Sequence, residues 1–299
     1  MTTTLEANVI DLIIDGLEAA ANDTFAPALD QFLDKVNEDR WIISSDYSMG
    51  CPDFKLDAMV FTLIPYIAEL FPPDNIEANL PKDFKKCGKS IDSAYLSYLR
   101  NGSFFTFIFL IDRSERLYSS PELARQAAQQ SIGMMKGWPN AHEPHIEELI
   151  GKAELSVDEW RTKSFLRKAN ELSMLSTLGA FVGLMATRKK MFRAIAWAPD
   201  RDNMTGVWNG LASALFHANM HSVLHRRNMP ERYIHAEFTD NNSQDALWFD
   251  PYIRLADFFA TPAASLTRID SQANSRNYSK CDCDESRVLA DVESRTFAA

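Results

Sequence analysis

The sequence predicts an α/β fold in which a mixed five-stranded sheet is flanked by helices on both faces. Five short segments rich in β-branched and aromatic residues alternate with longer segments that carry apolar residues at helical spacing. The first three strands lie close together in the chain and can pair antiparallel. Each of the last two strands follows a helical segment, which permits a right-handed crossover and parallel pairing. A helical extension precedes this sheet, and a large helical insertion interrupts it.

Composition and charge limit the function classes. The chain has 299 residues, of which 46% are hydrophobic and 24% charged, so it can bury a large core without disulfides. The formal net charge of −10 argues against broad binding to a nucleic-acid backbone, which needs a basic face, but is compatible with a local basic groove. Because we find neither a signal-peptide pattern nor an apolar stretch long enough to span a bilayer, we expect a cytoplasmic protein without a membrane partner.

Three regions are predicted along the chain. Residues 1–38 form an N-terminal helical extension, 39–268 form the sheet domain with its insertion at about 120–190, and 269–299 form a polar tail. Within the extension, apolar residues recur at helical spacing over 5–21 and 25–37, which predicts two packing helices. Their predicted role is structural, or it is the formation of a homo-oligomer.

The first half of the sheet domain contains three predicted strands, at 41–48, 57–66 and 104–111. The first two are separated by a turn that contains glycine and proline, so we expect a hairpin. The third gives the strongest strand signal in the chain because it is almost entirely aromatic and β-branched. Between the second and third strands, residues 74–89 are predicted to be irregular.

The helical insertion begins at Ser120, a predicted N-cap that is followed by proline at the first helical position. After the insertion, strands are predicted at 192–198 and 232–239, and helices at 206–227 and 245–266. Two prolines in the last of these helices are predicted to break it.

Four acids follow or interrupt apolar elements that lie far apart in the chain. Asp46 lies at the far end of the first strand, Asp200 and Asp202 directly follow the fourth strand, and Asp257 lies on the apolar last helix. Two-metal phosphodiester hydrolysis needs several carboxylates that converge from rigid elements, and Mg²⁺ and Mn²⁺ prefer such oxygen ligands. We therefore predict a Mg²⁺ or Mn²⁺ site. Glu237 joins it if the fifth strand turns this side chain inward.

The order of the elements and the positions of these acids resemble the ribonuclease H-like fold of the retroviral integrase superfamily. The resemblance covers roughly residues 40–268. The chain also resembles a bacterial family of domains of unknown function with an aspartate on the first strand and a closing helix that reads Leu-Ala-Asp before apolar residues. Those residues are Asp46 and Leu255-Ala-Asp257 here. The first strand reads Ser-Asp-Tyr-Ser where that family has Asp-Glu-Ser-Gly, so the acid is not doubled.

This resemblance implies a metal-dependent nuclease or phosphodiesterase whose partner is nucleic acid. In such an enzyme Asp46 would bridge the metals, Asp200 or Asp202 would complete the cluster, and Asp257 would hold the second metal. All four aspartates are the predicted catalytic residues, and Asp46, Asp200 and Asp257 are the predicted metal ligands.

Plainer interpretations exist for each acid. Asp46 also suits a turn, Asp200 and Asp202 suit the cap of the helix that follows them, and Asp257 suits an ion pair with Arg254. An alternative function is therefore a catalytically inactive ribonuclease H-like module that binds protein or nucleic acid. The acidic balance, the single acid on the first strand and the amphipathic N-terminal helices favour this alternative.

Two other groups contain residue types that bind metals. His217, His221 and His225 recur every four residues on one face of a predicted helix, so a histidine-based metal enzyme is a further alternative. However, no glutamate follows His217, and the hydrolases of the H-E-x-x-H type use that glutamate as their base. The second group, at 142–147, has two histidines and two glutamates and is typical of a solvated helix start.

The cysteines and the basic clusters give weaker signals. Cys281-Asp-Cys283 has no second pair, so the four cysteines are predicted to be free thiols. The basic clusters Arg188–Lys190 and Arg226–Arg227 each follow a helix and suit its C-terminal dipole, or they contact phosphates beside a metal site.

Overall fold

A computed structural model of the chain describes residues 9–67, 73–82, 92–139, 141–157, 163–200, 205, 211–229, 233–236, 247–266 and 297–298. The helices among them are α1 Val9–Asp23, α2 Ala26–Val36, α3 Pro73–Asn79, α4 Ser93–Asn101, α5 Pro121–Lys136, α6 Pro144–Val157, α7 Lys163–Met185, α8 Leu211–Arg226 and α9 Asp250–Ser265. The strands are β1 Arg40–Ser48, β2 Leu56–Pro65, β3 Phe105–Asp112, β4 Ala194–Pro199, β5 Tyr233–Ala236 and β6 Phe297–Ala298. Within these ranges, no helix is long and apolar enough to cross a membrane.

The strands form a mixed sheet in the order β5-β4-β1-β2-β3-β6. β1 pairs antiparallel with β2, and β2 pairs antiparallel with β3, whereas β4 lies parallel to β1. The two-residue β6 adds a short parallel partner to β3. The predicted five-stranded mixed sheet with flanking helices is therefore confirmed as β3-β2-β1-β4-β5. This order is compatible with a ribonuclease H-like α/β fold.

One face of the sheet is covered by α9. Side chains alternate between the two faces of a strand, so Ile42, Val60 and Ile108 point to the same side. They form one buried core with Phe258 and Phe259 of α9. This helix is almost completely apolar because it lies on the centre of the sheet.

The opposite face of the sheet packs against α2. Phe25 lies edge to face with Phe107 at a ring distance of 5.4 Å, and Phe32 lies 6.0 Å from Trp41 and 5.8 Å from Phe105. The helical stripe predicted at 25–37 thus covers the sheet. Both strand faces are covered, which explains why β1, β2 and β3 are buried along most of their length.

By the density of its contacts, the chain divides into two compact units. One comprises Thr24–Glu115, Lys189–Asp200 and Gln244–Ala299, and it holds β1 to β4 with α2, α3, α4 and α9. Asp46, Asp200 and Asp257 all belong to this unit. The predicted division at residues 38 and 268 stays a prediction.

The other unit comprises Met1–Asp23, Arg116–Arg188 and Arg201–Ser243, and it is mainly helical. Its helices α7 and α8 pack together, and the buried Asn219 amide donates a hydrogen bond to Ser176 Oγ over 3.3 Å. The predicted N-cap is confirmed, because the Leu123 N–H donates to Ser120 Oγ at the start of α5.

Two predictions about secondary structure were wrong. Residues 74–79, predicted to be irregular, lie in α3, and 83–89 lie outside the described residues. The last helix is continuous rather than broken. Pro251 lies in its first turn, where a backbone N–H needs no partner, and Pro262 lies so near the C-terminal end that α9 still continues to Ser265. Most of the predicted polar tail, 267–296 and 299, lies outside the described residues.

Candidate metal centre

Asp46 lies near the C-terminal end of β1, on the face of the sheet that α9 covers. It lies four residues after Ile42, and because side chains alternate between the faces of a strand, the two side chains share that face. Only 9% of its surface is exposed. The N–H of Tyr47 donates a hydrogen bond to Asp46 Oδ1 over 2.7 Å and holds the carboxyl group against the strand.

Asp200 is brought beside Asp46 by the parallel pairing of β4 with β1. The register aligns Ser45 with Pro199, the last residue of β4. The N–H of Asp200 then donates to the Ser45 carbonyl over 2.8 Å, which extends the pairing by one residue. Because the C-terminal ends of parallel strands meet at the same edge of a sheet, the two acids become neighbours.

Asp257 reaches the same place from α9. This helix packs on β1 and β2, and the Asp257 side chain lies near enough to act on the Asp46 carboxyl group and raise its pKa. Asp257 is partly buried, while its neighbours Ala256 and Phe258 are fully buried. The one acid in this apolar stretch of the helix therefore faces the acids of the sheet.

The pKa of Asp46 is raised well above its ordinary value. Burial is the largest cause, since it penalises the charged carboxylate, and the negative charges of Asp200 and Asp257 raise the pKa further. The interaction with the Asp257 side chain acts in the same direction, whereas the N–H of Tyr47 opposes it. The Asp46 carboxyl group is therefore harder to ionise than that of an ordinary aspartate.

The donor chemistry of these three acids fits a divalent cation. They offer only carboxylate oxygens, which Mg²⁺ and Mn²⁺ prefer. A cation would also neutralise the negative charges through which the three acids repel one another. Within the described ranges, however, no three His, Cys, Asp or Glu side chains form a group that could hold a metal ion. Asp46, Asp200 and Asp257 stay predicted metal ligands, on the basis of their oxygen donors alone.

The remaining predicted acids are not placed. Asp202 and Glu237 lie outside the described residues. Arg254, the alternative partner for Asp257, is used elsewhere. Its guanidinium donates to Glu77 over 2.6 Å and to the Leu80 carbonyl over 3.1 Å, which ties α9 to the end of α3.

Polar contacts on the other face of β1 hold the strand in place behind the acids. Ser45 Oγ accepts a hydrogen bond from the Trp197 indole over 2.9 Å and lies 2.5 Å from the Tyr47 hydroxyl. These three side chains couple β1 to β4 directly beside Asp46. Tyr47, at the position where a second acid would be expected, thus has a structural contact on the opposite face from Asp46.

The ion pair of Asp57 with Arg113, which we did not predict, stabilises the turn after β1. Asp57, 10% exposed in its side chain, accepts hydrogen bonds from Arg113 Nε over 2.8 Å and from the Gly50 N–H over 2.8 Å. Arg113 also donates to the Cys51 carbonyl. Gly50 has a φ of +69°, which favours glycine. An acid at the start of an apolar strand is the sequence signal that could have indicated this ion pair.

The histidines do not form a metal centre within the described residues. The rings of His217 and His221 are stacked at 6.3 Å, and the Trp138 ring lies 4.4 Å from His221. His217 is buried and His225 is exposed, so the three do not share one environment. In the second group, at 142–147, the described side chains of His142, Glu143 and Glu147 are exposed. Cys51 is a free thiol, and the other three cysteines lie outside the described residues.

The basic clusters form ion pairs with acids of the two N-terminal helices. Arg226 forms two hydrogen bonds of 2.9 Å with Asp15, and Arg227 pairs with Glu18 over 2.9 and 2.5 Å. In the other cluster, Lys189 lies 2.9 Å from Asp34. These cations therefore have structural partners.

Comparison with known proteins gives no significant match to a protein-family model, to a curated protein or to a solved structure.

Proposed function

We propose that the chain is a metal-dependent nuclease or phosphodiesterase that acts on nucleic acid through Asp46, Asp200 and Asp257. The observation that carries this proposal is the interaction of three acids from β1, the end of β4 and α9 around one buried carboxyl group. Ordinary cores avoid such a concentration of like charge, because each added carboxylate raises the cost of ionising the others. Perturbed carboxyl groups of this kind cluster at functional sites.

The strand order supports the proposal through the resemblance to ribonuclease H-like proteins. The first three strands are antiparallel, the fourth lies parallel to the first, and the last helix covers β1. The resemblance to the bacterial family with Leu-Ala-Asp on the closing helix supports a role for Asp257 in the same site. On this proposal Mg²⁺ or Mn²⁺ would be held by Asp46 as the shared ligand, by Asp200 as the acid that completes the cluster, and by Asp257 as the ligand of a second ion.

When bound, the cations stabilise the attacking and leaving oxygens of a phosphodiester displacement. The chain's own contribution is orientation. Tyr47 N–H holds one oxygen of Asp46, and the Ser45 contact to Trp197 fixes the strand that carries it. Acids held by a strand and a helix move less than acids on loops, and rigid placement favours in-line chemistry.

Nucleic acid is the proposed partner, and its recognition depends on the cations more than on a basic surface. The chain carries a net charge of −10, and the basic residues Arg226, Arg227 and Lys189 are ion-paired. A homo-oligomer formed through the N-terminal helices is also proposed. It would use the apolar Leu12 of α1, which is 60% exposed.

Calorimetric titration with Mn²⁺, combined with a nuclease assay on single- and double-stranded DNA and RNA, tests the proposal. The samples are wild type, Asp46→Asn and the control Asp53→Asn, which changes an exposed aspartate of the turn after β1. We expect binding and cleavage in the wild type and the control, and loss of both in Asp46→Asn. Wild-type protein that binds no Mn²⁺ contradicts the proposal.

The second candidate function is a catalytically inactive module that binds protein or nucleic acid. It is favoured by Tyr47, which stands where the resembling family has a second acid and lies against Ser45 on the opposite face of β1. The same experiment separates the two candidates. Nucleic acid that binds without being cleaved, in the presence of Mn²⁺, would support the inactive module.

A further inference from the structure

The hydroxyl group of Ser44 lies in an unusual environment. Ser44 is fully buried in the middle of β1, and its Oγ atom has no hydrogen-bond partner in the structure. A hydroxyl group that leaves water without finding a partner lowers the stability of the folded state. Alanine would fit the same position without this cost. The serine therefore calls for an explanation other than packing.

Its position in the sheet indicates what it can contact. Ser44 precedes Asp46 by two residues, so both side chains point to the face that α9 covers, with their Cβ atoms roughly 7 Å apart. Across the sheet, its neighbours are Ala198 on β4 and Thr62 on β2. Ala198 has no polar atom. The Thr62 hydroxyl already shares a hydrogen bond of 3.2 Å with Thr106.

Asp46 is the other polar neighbour on this strand face, and its carboxylate is a stronger acceptor than the Thr62 hydroxyl group. In its charged form a carboxylate accepts several hydrogen bonds, and the Tyr47 N–H uses only one of these positions on Asp46. A hydroxyl donor on the same strand face can fill another, directly or through one water molecule. Hydrogen bonds to an ionised group are about twice as strong as those between neutral groups.

We propose that Ser44 is a positioning residue that donates a hydrogen bond to the metal-binding form of the Asp46 carboxylate. The inference rests on the proposed function, because it assigns Ser44 a role in holding a ligand of the Mg²⁺ or Mn²⁺ site. Groups that orient metal ligands contribute to affinity without touching the metal, and their removal costs about 10- to 100-fold in affinity. Ser44 thus lowers the stability of the metal-free fold but orients the Asp46 carboxylate for metal binding.

Two variants with opposite expected effects test this inference. Ser44→Ala is expected to keep or raise Tm in the absence of metal and to weaken Mn²⁺ binding about tenfold by calorimetry. Thr62→Val is the matched control, because Thr62 lies directly across from Ser44 on β2 and also has a buried hydroxyl group. It leaves the Thr106 hydroxyl without its partner, so we expect a lower Tm and unchanged Mn²⁺ affinity. Ser44→Thr keeps the hydroxyl group and is expected to keep the affinity.

The possible failures are distinguishable. If the wild type binds Mn²⁺ and Ser44→Ala binds it equally well, the role of Ser44 is wrong while the proposed metal site stands. Equal losses of affinity in Ser44→Ala and Ser44→Thr also overturn the role, because the hydroxyl group is then irrelevant. If the wild type binds no Mn²⁺, the proposed function fails and this inference fails with it.

Discussion

The carboxyl groups of Asp46 and Asp257 interact, although one lies on β1 in the interior of the sheet and the other on the last described helix. Asp200 lies close enough to act on the same group through its charge. Three acids that are far apart in the chain therefore form one electrostatic unit. Bringing them together has a cost in stability, and that cost leads to the first prediction.

Asp46→Asn should stabilise the metal-free protein at neutral pH. Because the pKa of Asp46 is raised, the folded state keeps its proton in a pH range where the unfolded chain has released it. The free energy of unfolding then falls as pH rises from about 4 through the raised pKa. Asparagine never ionises, so we expect its Tm at pH 8 to exceed that of the wild type by roughly 2–4 °C, the shift that about 1 kcal/mol produces in a large domain.

The measurement is thermal unfolding of both proteins in chelator between pH 4 and pH 8. The difference in Tm between Asp46→Asn and the wild type should grow with pH. A difference that stays constant over this range would show that Asp46 does not carry the raised pKa. The control Asp53→Asn should follow the wild type at every pH.

Asp200 and Asp202 can be separated by the same substitution. The structure places Asp200 beside Asp46, whereas Asp202 lies outside the described residues. We expect Asp200→Asn to weaken Mn²⁺ binding at least tenfold, since a neutral amide is a poorer ligand, and Asp202→Asn to weaken it less. Calorimetric titration of the two variants measures this. A larger loss in Asp202→Asn would transfer the role to that residue.

Arg113→Ala should destabilise the fold. It removes the partner of the buried Asp57 and the hydrogen bond to the Cys51 carbonyl, which together hold the turn after β1. Because Arg113 is 33% exposed, we expect a loss of about 2 kcal/mol rather than the larger cost of a fully buried pair. Urea unfolding provides the measurement. Lys55→Ala, at an exposed lysine in the same turn, should change the stability by less than about 0.5 kcal/mol.

Asp15→Asn should weaken the attachment of α1, in a manner that depends on pH and salt. The hydrogen bonds from Arg226 lower the pKa of Asp15, so its contribution to stability is present above the ordinary value of 3.8 and is lost as pH falls through the lowered pKa. Asp15 is 49% exposed, so solvent screening limits the effect at pH 7 to about 1 kcal/mol or less.

Thermal unfolding at pH 7 and pH 3, in low salt and in 1 M NaCl, measures this effect. The difference between Asp15→Asn and the wild type should be largest at pH 7 in low salt. Asp23→Asn is the control, because that exposed acid lies at the C-terminal end of α1, where a negative charge is unfavourable. A destabilised Asp23→Asn, or an effect of Asp15→Asn that survives high salt, would contradict the role of the ion pair.

Local patterns were sufficient to predict most elements of this fold. The strands at 41–48, 57–66 and 104–111 match β1, β2 and β3 to within about two residues, because each contains a run of aromatic and β-branched residues next to turn residues. The prediction of irregular structure was wrong at 74–79 because α3 is stabilised from outside itself, by Arg254 of α9 on Glu77 and on the Leu80 carbonyl. A short polar helix of this kind has too little periodicity to be recognised from its own residues.

The sequence by itself determined the order of the elements along the chain and singled out Asp46, Asp200, Asp202 and Asp257, since an acid at the end of an apolar strand or inside an apolar helix is visible without coordinates. Only the tertiary structure decided which of them interact. Strand register brought Asp200 to Asp46, and the packing of α9 brought Asp257 there while Arg254 bonded elsewhere. Register and helix packing are set by contacts between residues far apart in the chain, so no local pattern contains them. For the same reason the buried Ser44 hydroxyl and the pair of Asp57 with Arg113 became apparent only in the folded chain.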